Sequence, residues 1–206
     1  MMVFMGFILL IGQRLQSEFL VRRLRRAGAC VAKSARVIGA PVVQVELGSR
    51  LDIGARVRLI SSSRRTALGV NHPVVLRTLT KDAHLVISDD SGMSGGSICA
   101  ALRIEIGAGA MLGANVTITD TDFHPLDHMW RRYQPIPTPC RGDEVLIGRN
   151  VFIGTGAVIL KGTVLGDHCV VGAGAVVKGK FPGRTVIAGN PARAVRSLDD
   201  VDVPTP

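Results

Sequence analysis

His124 stands in a polar run, Thr119-Asp-Thr-Asp-Phe-His-Pro-Leu-Asp127, whose side chains suit proton transfer. An imidazole titrates near neutral pH, so it can take the proton of a weak nucleophile such as a hydroxyl group as that group attacks. Asp120 or Asp122 could hold the ring in the required tautomer, and a backbone carbonyl could do the same. The run predicts His124 as a general base, against the alternative of a structural loop histidine.

The other histidines are weaker candidates for the base. His72, in Asn71-His-Pro73, is more suited to contacting an acceptor molecule, and His128 and Trp130 could also touch one. His84 and His168 are predicted to lie on the surface. Because no Ser-His-Asp or Cys-His spacing is present, we expect the nucleophile to attack its target directly, with no covalent enzyme intermediate.

The elements that position these residues follow from a six-residue repeat. Aliphatic residues recur at every sixth position, and we take each as the first residue of a hexad. The regular sets are Ile147, Ile153, Ile159, Leu165, Val171 and Val177; Ile106, Leu112 and Ile118; Leu47, Ile53 and Leu59; and, more weakly, Ile87, Met93 and Cys99.

Two further hexad positions repeat with the first. The fifth residue is small or β-branched, and the fourth is Gly, Asn or His, which tolerate a positive φ at least cost. Three short strands and three tight corners therefore close a triangular coil of about 18 residues, and the coils stack at about 4.8 Å. The pattern predicts an all-β parallel helix with Thr163 and Cys169 in its core and His168 at a corner.

The repeat fails after Ile118, because Thr121 and Asp122 occupy positions that the hexad reserves for Gly or Asn and a small residue. An excursion is therefore predicted from about residue 123 to residue 144, with His124 at its root and Trp130 within it. Binding residues gather in loops that leave a rigid scaffold, which supports a functional role for this segment.

Composition narrows the class of protein. The formal charge of +9 suits an anionic partner, such as a membrane surface or a phosphorylated cofactor. The four cysteines show no CxxC spacing, so we expect reduced thiols in a cytoplasmic protein, without a metal or redox motif. Nucleic-acid binding is disfavoured because the basic residues are not interleaved with aromatic ones.

The two ends of the chain differ from the repeat. Residues 1–30 are predicted to form an amphipathic helix whose first eleven residues are apolar, too few for a span of about 20 residues. Residues 1–26 could lie on an anionic membrane, peripherally at its inner face, or the helix could cap the open end of the coil or pack on a neighbouring subunit. Residues 31–196 form the predicted β-helix, and residues 197–206 a flexible acidic tail.

The run Ile147-Gly-Arg-Asn-Val-Phe-Ile-Gly-Thr-Gly-Ala-Val resembles the hexapeptide-repeat acyltransferases, whose fold is a left-handed β-helix. The closing segment Val186-Ile-Ala-Gly-Asn-Pro-Ala-Arg-Ala-Val-Arg196 is similar to the galactoside and maltose O-acetyltransferase branch. Gly69–Leu79 is similar to members that modify cell-surface polysaccharides. The resemblance is clear from Ile87 to Arg196 and weaker from Val37 to Leu85, and it leaves out the N-terminal 30 residues.

The resemblance implies an acetyl-CoA-dependent enzyme that works without a metal, acts on a sugar or cell-surface glycan hydroxyl and assembles as a homotrimer. His124 resembles the catalytic histidine of that branch. Coenzyme A would then be bound by Thr155, Ala173, Lys178, Arg193 and Arg196. Ser94 or Ser97, or a backbone N–H, would stabilise the oxyanion, although this sequence lacks the acceptor-binding Asn that the family keeps near Ser94.

Other functions fit the same fold. An amino group on an aminosugar or antibiotic could be the acceptor, which would make the protein an N-acyltransferase. A non-catalytic β-helix scaffold would need neither His124 nor the excursion. A γ-type carbonic anhydrase would need three zinc-binding histidines at a spacing that this sequence lacks.

Overall fold

The computed structural model describes residues 2–199, with the side chains of residues 12 and 14–199. One long helix, α1 (Met2–Arg26), precedes the strands. Residues 200–206, most of the predicted tail, lie outside the described part of the chain.

The rest of the described chain is built of short strands. The first twelve are β1 (Cys30–Val31), β2 (Arg36–Ile38), β3 (Val42–Gln44), β4 (Arg50–Ile53), β5 (Arg58–Ile60), β6 (Val75–Thr78), β7 (His84–Ile87), β8 (Gly92–Ser94), β9 (Ser97–Ala100), β10 (Arg103–Ile106), β11 (Met111–Leu112) and β12 (Thr117–Thr119). The remaining nine are β13 (Val145–Ile147), β14 (Phe152–Ile153), β15 (Val158–Ile159), β16 (Val164–Leu165), β17 (Val170–Val171), β18 (Val176–Val177), β19 (Lys180–Phe181), β20 (Thr185–Gly189) and β21 (Ala192–Ser197).

Every third strand pairs in parallel, which produces three flat faces. Face A contains β1, β4, β7, β10, β13, β16 and β19, face B contains β2, β5, β8, β11, β14, β17 and β20, and face C contains β3, β6, β9, β12, β15 and β18. The last strand, β21, folds back antiparallel on β20 at the end of face B. The predicted left-handed parallel β-helix is confirmed.

The interior of this prism is a stack of aliphatic ladders. In the regular C-terminal coils, Ile147 pairs with Leu165, Ile153 with Val171, and Ile159 with Val177. All six side chains are buried, and so are Thr163 and Cys169 beside the corners. Asn115, Asn150 and His168 have positive φ, as predicted for the fourth position, and His168 is exposed.

The prediction that Leu47 and Cys99 face the interior is wrong. Leu47 is 89% exposed, because it lies in a turn in which Ser49 donates a backbone hydrogen bond to the carbonyl of Glu46. Cys99 is only partly buried, and Ile98 takes its place in the ladder by pairing with Ile118. A shift of one residue along a strand turns the inward-facing side chains outward. Counting residues in sixes could not predict that shift.

Helix α1 lies against the first coil. Its side chains Leu20, Val21 and Leu24 are buried, and the Ser17 hydroxyl accepts the backbone N–H of Val37 in β2 at 3.0 Å. The N–H groups of the outermost coil would otherwise have no strand to pair with, so this contact supplies a partner at the open end. The capping role considered for the helix therefore has direct structural support.

Two loops leave the coil, where the sequence predicted one. Residues 61–74 separate β5 from β6, and residues 120–144 separate β12 from β13. The second contains the predicted excursion, and each loop includes a short 3₁₀ helix, at Ser63–Arg65 and Arg131–Tyr133.

We predict that Gly96→Ala destabilises the fold far more than Gly156→Ala. Both glycines have positive φ, but a Cβ on Gly96 would lie 2.2 Å from the Val116 carbonyl oxygen, whereas a Cβ on Gly156 would meet no atom within 4 Å. Gly156→Ala should cost about 1–2 kcal/mol through backbone strain alone, and Gly96→Ala should cost several kcal/mol more. Urea unfolding of the two variants measures the difference, and equal losses would contradict the stacking geometry.

Candidate functional site

The predicted site residues fall at two corners of the prism. Corner BC joins faces B and C and includes residues 94–97, 113–115, 154–156 and 172–174. Corner CA joins faces C and A and includes residues 119–121, 160–162 and 178–179. Six residues of an extended strand, at about 3.3 Å each, place these corners roughly 15–20 Å apart across face C.

His124 lies near corner CA, where the chain leaves the coil. Its backbone N–H bonds the carbonyl of Asp122 at 2.7 Å, and the intervening Phe123 has φ 62°. A positive φ at a bulky residue is uncommon and marks a backbone held by its surroundings. The imidazole of His124 is exposed and, among the described residues, has no hydrogen-bond partner. Its nitrogens are therefore available to a bound molecule.

Lys161 ties the two ends of the excursion together. Its ammonium group lies 2.7 Å from the Asp122 carboxylate at the start of the loop and 3.5 Å from the Asp143 carboxylate at its end. The hydrogen bond with Asp122 is the main reason that the pKa of Lys161 is raised. Burial opposes ionisation of Asp143, but hydrogen bonds from Cys140 and the charge of Lys161 lower its pKa. Lys161 and Asp143 are therefore charged at neutral pH.

Asp120 has a different environment. It is fully buried, and its carboxylate accepts the backbone N–H groups of Ala101, Leu102 and Arg103 at 2.6, 2.9 and 2.7 Å. Burial raises its pKa, against the lowering effect of these bonds. Asp120 thus fixes the turn between β9 and β10, and neither it nor Asp122 hydrogen-bonds to the His124 ring in this structure. An orienting role for either carboxylate remains a prediction.

Corner BC brings together three of the residues predicted to bind the cofactor. Thr155 and Ala173 occupy equivalent positions in successive coils, where Gly174 N–H bonds the Thr155 carbonyl at 2.9 Å. Arg193 follows on the last rung, opposite Ala188. Arg196 lies further along face B, opposite Val186, and Lys178 is exposed at corner CA. The structure therefore does not gather all five residues in one chain.

The residues predicted to bind the acceptor also lie mainly at corner BC. Ser94 ends β8 and Ser97 begins β9, on either side of two glycines. The loop that carries His72 is tied to this corner, because the Asn115 side chain accepts the Asn71 N–H at 2.8 Å. The sequence predicted only that Asn115 occupies a turn. Its hydrogen bond to Asn71, which is far away in the sequence, leaves no local pattern that could have been recognised.

His128 and Trp130 lie in the outer part of the excursion. The Nδ1 of His128 accepts the backbone N–H of Trp130 at 3.0 Å, and Trp130 is 66% exposed. The other large apolar side chains of this segment that are exposed are Leu126, Met129 and Tyr133. The excursion thus exposes several large apolar side chains, with the charged residues Asp127, Arg131 and Arg132 among them.

Three further findings concern cysteines, metals and membranes. All four cysteines are free thiols, and burial raises the pKa of Cys99 and Cys169. No group of three His, Cys, Asp or Glu side chains within residues 12–199 is arranged to hold a metal ion. In the described portion of the chain, no helix has the length and apolar character needed to cross a bilayer.

Comparison with known families supports the fold. Residues 144–179 match the family described as bacterial transferase hexapeptide (six repeats). Over these residues the chain is therefore similar to that family. The match covers the regular coils β13 to β18, on which the ladder spacing was recognised.

The chain is similar to acetyltransferases over about half of its length. It is 35% identical over 99 residues to a galactoside O-acetyltransferase of Escherichia coli K12, covering 48% of this chain and 46% of that protein. It is 37% identical over 106 residues to a candidate lipopolysaccharide-biosynthesis O-acetyltransferase of the same organism, covering 50% of this chain and 54% of that one. The chain thus spans about half the length of the curated relatives it matches.

A solved structure extends the similarity. A hexapeptide-repeat-containing acetyltransferase from Vibrio cholerae superposes with a TM-score of 0.51 at 26% identity, over 64% of this chain and 70% of that one. The likeness confirms the resemblance to hexapeptide-repeat acetyltransferases that the sequence motifs indicated.

We predict that Lys161→Ala loosens the excursion without unfolding the coil. Removing the shared cation leaves Asp122 and Asp143 facing each other, and loss of the partly buried pair should lower the local opening energy by about 1 kcal/mol. Trypsin cleavage after Arg131 and Arg132 should then be about fivefold faster. Lys180→Ala, which removes a lysine that pairs with neither Asp122 nor Asp143, is the control, and equal cleavage rates in both variants would contradict the role of Lys161.

The same contact predicts how the loop responds to pH. The pKa of Asp143 is lowered, so the stabilisation is present above the ordinary aspartate value and is lost as pH falls through the lower folded-state pKa. Loop protection in the native chain should therefore persist through mildly acidic pH.

Proposed function

We propose that this protein is an acetyl-CoA-dependent O-acetyltransferase that acts on a hydroxyl group of a sugar or cell-surface glycan. The observation that carries the proposal is the root of the excursion, where the exposed imidazole of His124 stands on a backbone secured by Lys161. A non-catalytic scaffold would not need an excursion from the repeat whose two ends are held together by ion pairs. The similarity to O-acetyltransferases supports the choice of reaction.

The proposed reaction is a direct transfer. The acceptor oxygen attacks the carbonyl carbon of the acetyl thioester as His124 takes the hydroxyl proton. The tetrahedral intermediate then collapses, the carbon–sulfur bond breaks, and the imidazolium returns the proton to the departing thiolate. The products are an acetyl ester and free CoA. Ser94, Ser97 or a backbone N–H would donate to the oxyanion.

The same proposal assigns CoA to the groove along corner BC. Thr155 and Ala173 offer small side chains and backbone polar groups to the extended pantetheine arm. Arg193 and Arg196 would meet the 3′-phosphate or adenine, since guanidinium groups suit phosphate, and Lys178 would meet the pyrophosphate. Among the described residues, neither arginine has an acidic side chain within salt-bridge distance.

A homotrimer would complete this site. His124 lies near corner CA and Thr155 at corner BC, roughly 15–20 Å apart across face C. A single chain cannot bring the two together unless its rigid coil deforms. Packing corner CA of one prism against corner BC of the next would place His124 beside the proposed CoA groove. We therefore propose that each active site is shared by two subunits.

The acceptor is proposed to bind the apolar outer part of the excursion. Trp130, Tyr133 and Met129 are exposed there, and His128 lies among them. Aromatic rings commonly stack on the apolar face of a sugar, so this surface suits a glycan better than a small charged amine.

Replacing His124 by Ala should lower acetyl transfer by a factor of about 10²–10⁴, the usual contribution of a general base. CoA binding and thermal stability should be unchanged, because the ring makes no hydrogen bond within the described chain. The assay is thiol release from acetyl-CoA across a panel of sugar and lipid-linked acceptors. His84→Ala, at an exposed position on face A, is the matched control. Full activity in the His124 variant would remove the assignment.

Mixed assemblies test the shared site. Ala173→Trp should block the proposed CoA groove, and His124→Ala should remove the base, so each variant alone should be inactive. If His124 serves the groove of a neighbouring subunit, refolding the two together should restore part of the activity, because some interfaces then pair an intact base with an intact groove. No recovery from mixtures that form stable trimers would place both functions in one subunit.

A further inference from the structure

A basic cavity lies between α1 and the first two coils, away from the proposed site. It has a volume of about 520 Å³ and is lined chiefly by Arg14, Arg36, Arg56, Arg58, Ser17 and Ser34. Its floor is the start of face B, four rungs from β14, which leads to Thr155. At about 4.8 Å per rung the cavity is about 20 Å from that corner, so it is a separate feature of the molecule.

Three of the four arginines lack a neutralising partner. Arg56 is paired with Asp90 through two contacts of 2.6 Å. Arg14, Arg36 and Arg58 have no acidic side chain within salt-bridge distance among residues 12 and 14–199. Arg36 and Arg58 are moreover direct partners on adjacent strands, about 4.8 Å apart at the backbone, so two like-charged side chains leave the sheet side by side. Like charges directly opposite each other on a sheet destabilise it, and a bound anion would relieve the repulsion.

The two serines complete a site for an oxyanion. The Ser17 hydroxyl oxygen accepts the N–H of Val37, and the Ser34 hydroxyl oxygen accepts the N–H of Arg56. Each hydroxyl keeps its own proton to donate. Guanidinium groups with hydroxyl donors are the usual partners of a phosphate group, which takes several hydrogen bonds and carries the opposite charge.

Helix α1, which forms one wall of the cavity, indicates what kind of phosphate compound would bind there. Residues 1–11 contain no charged residue, and Arg14 is the first cation of the chain. Leu15 and Phe19, four residues apart and so on one face, are each 62% exposed, while Leu20, Val21 and Leu24 are buried against the coil. Apolar side chains therefore adjoin the phosphate-binding groups. A soluble phosphate compound would not need them, and a second copy of this chain would bring like charges to the same place.

We propose that this cavity binds the phosphate of anionic phospholipids and that α1 lies on a membrane surface with Leu15 and Phe19 facing the lipids. Arg14 joins the two parts, since it both lines the cavity and ends the apolar run. The proposal is independent of acetyl transfer, because the cavity shares no residue with the proposed active site.

Flotation of the full chain with lipid vesicles tests the proposal. The protein should bind vesicles of phosphatidylcholine mixed with phosphatidylglycerol and not vesicles of phosphatidylcholine alone, and added salt should weaken the binding. Arg36→Ala combined with Arg58→Ala should weaken it about thirtyfold, at about fivefold for each basic residue near an anionic surface. Arg149→Ala combined with Lys180→Ala removes the same charge at exposed positions elsewhere and should leave binding unchanged.

Two further measurements separate the alternatives. The Arg36 and Arg58 variant should melt no lower than the native chain, because it relieves a repulsion, and it should keep its activity on soluble acceptors. Leu15→Ser combined with Phe19→Ser should also weaken vesicle binding. If the Arg36 and Arg58 variant and the Arg149 and Lys180 variant lost vesicle binding equally, net charge alone would explain the binding, and the proposed site would be overturned. Stabilisation by inorganic phosphate without any vesicle binding would overturn the lipid assignment.

Discussion

Backbone hydrogen bonding between successive coils is the constraint on which the rest of this molecule depends. Each coil must satisfy its N–H and C=O groups with the coil above and below, at a fixed spacing, on all three faces. Corners therefore stack so closely that a Cβ on Gly107 would lie 2.5 Å from the backbone of Gly148, and a Cβ on Gly154 would lie 2.5 Å from Ala173. Chemistry is left to the places where the chain departs from the coil.

The same constraint explains how much of the fold the sequence could predict. A strict six-residue period restricts the residue type at each position of the hexad. The ladder from Ile147 to Val177 could therefore be predicted from the sequence. The positive φ at the fourth position of the hexad could be predicted in the same way, as at Asn115, Asn150 and His168. The predictions failed where a coil has an irregular length. Whether Ile98 or Cys99 faces inward depends on pairing with Ile118, which the hexad count alone cannot resolve. The loop of residues 61–74 was missed as a break because the early repeat is weak.

The candidate site was predictable in identity more than in arrangement. His124 was predicted from its residue type and from the failure of the repeat beside it, and the structure places it exposed at the root of the excursion. Lys161 was not, because its role depends on the coil bringing Asp122 and Asp143 to one corner after a long excursion. Asp120 shows the converse, since a carboxylate near a histidine in sequence is committed to three backbone N–H groups of another turn. Proximity in sequence to His124 therefore drew attention to Asp120 but did not predict the groups that Asp120 binds.

The rigidity of the coil also determines how an active site can arise on it. Faces that cannot bend keep corners BC and CA apart, so the proposed base at one corner and the proposed CoA-binding residues at the other could meet only between two prisms. The loops alone can vary in sequence without breaking the register of hydrogen bonds between successive coils. An excursion clamped at its root by Lys161 yet apolar and exposed at its tip meets both needs. The ion pairs of Lys161 hold the root of the excursion beside His124, while the tip remains exposed.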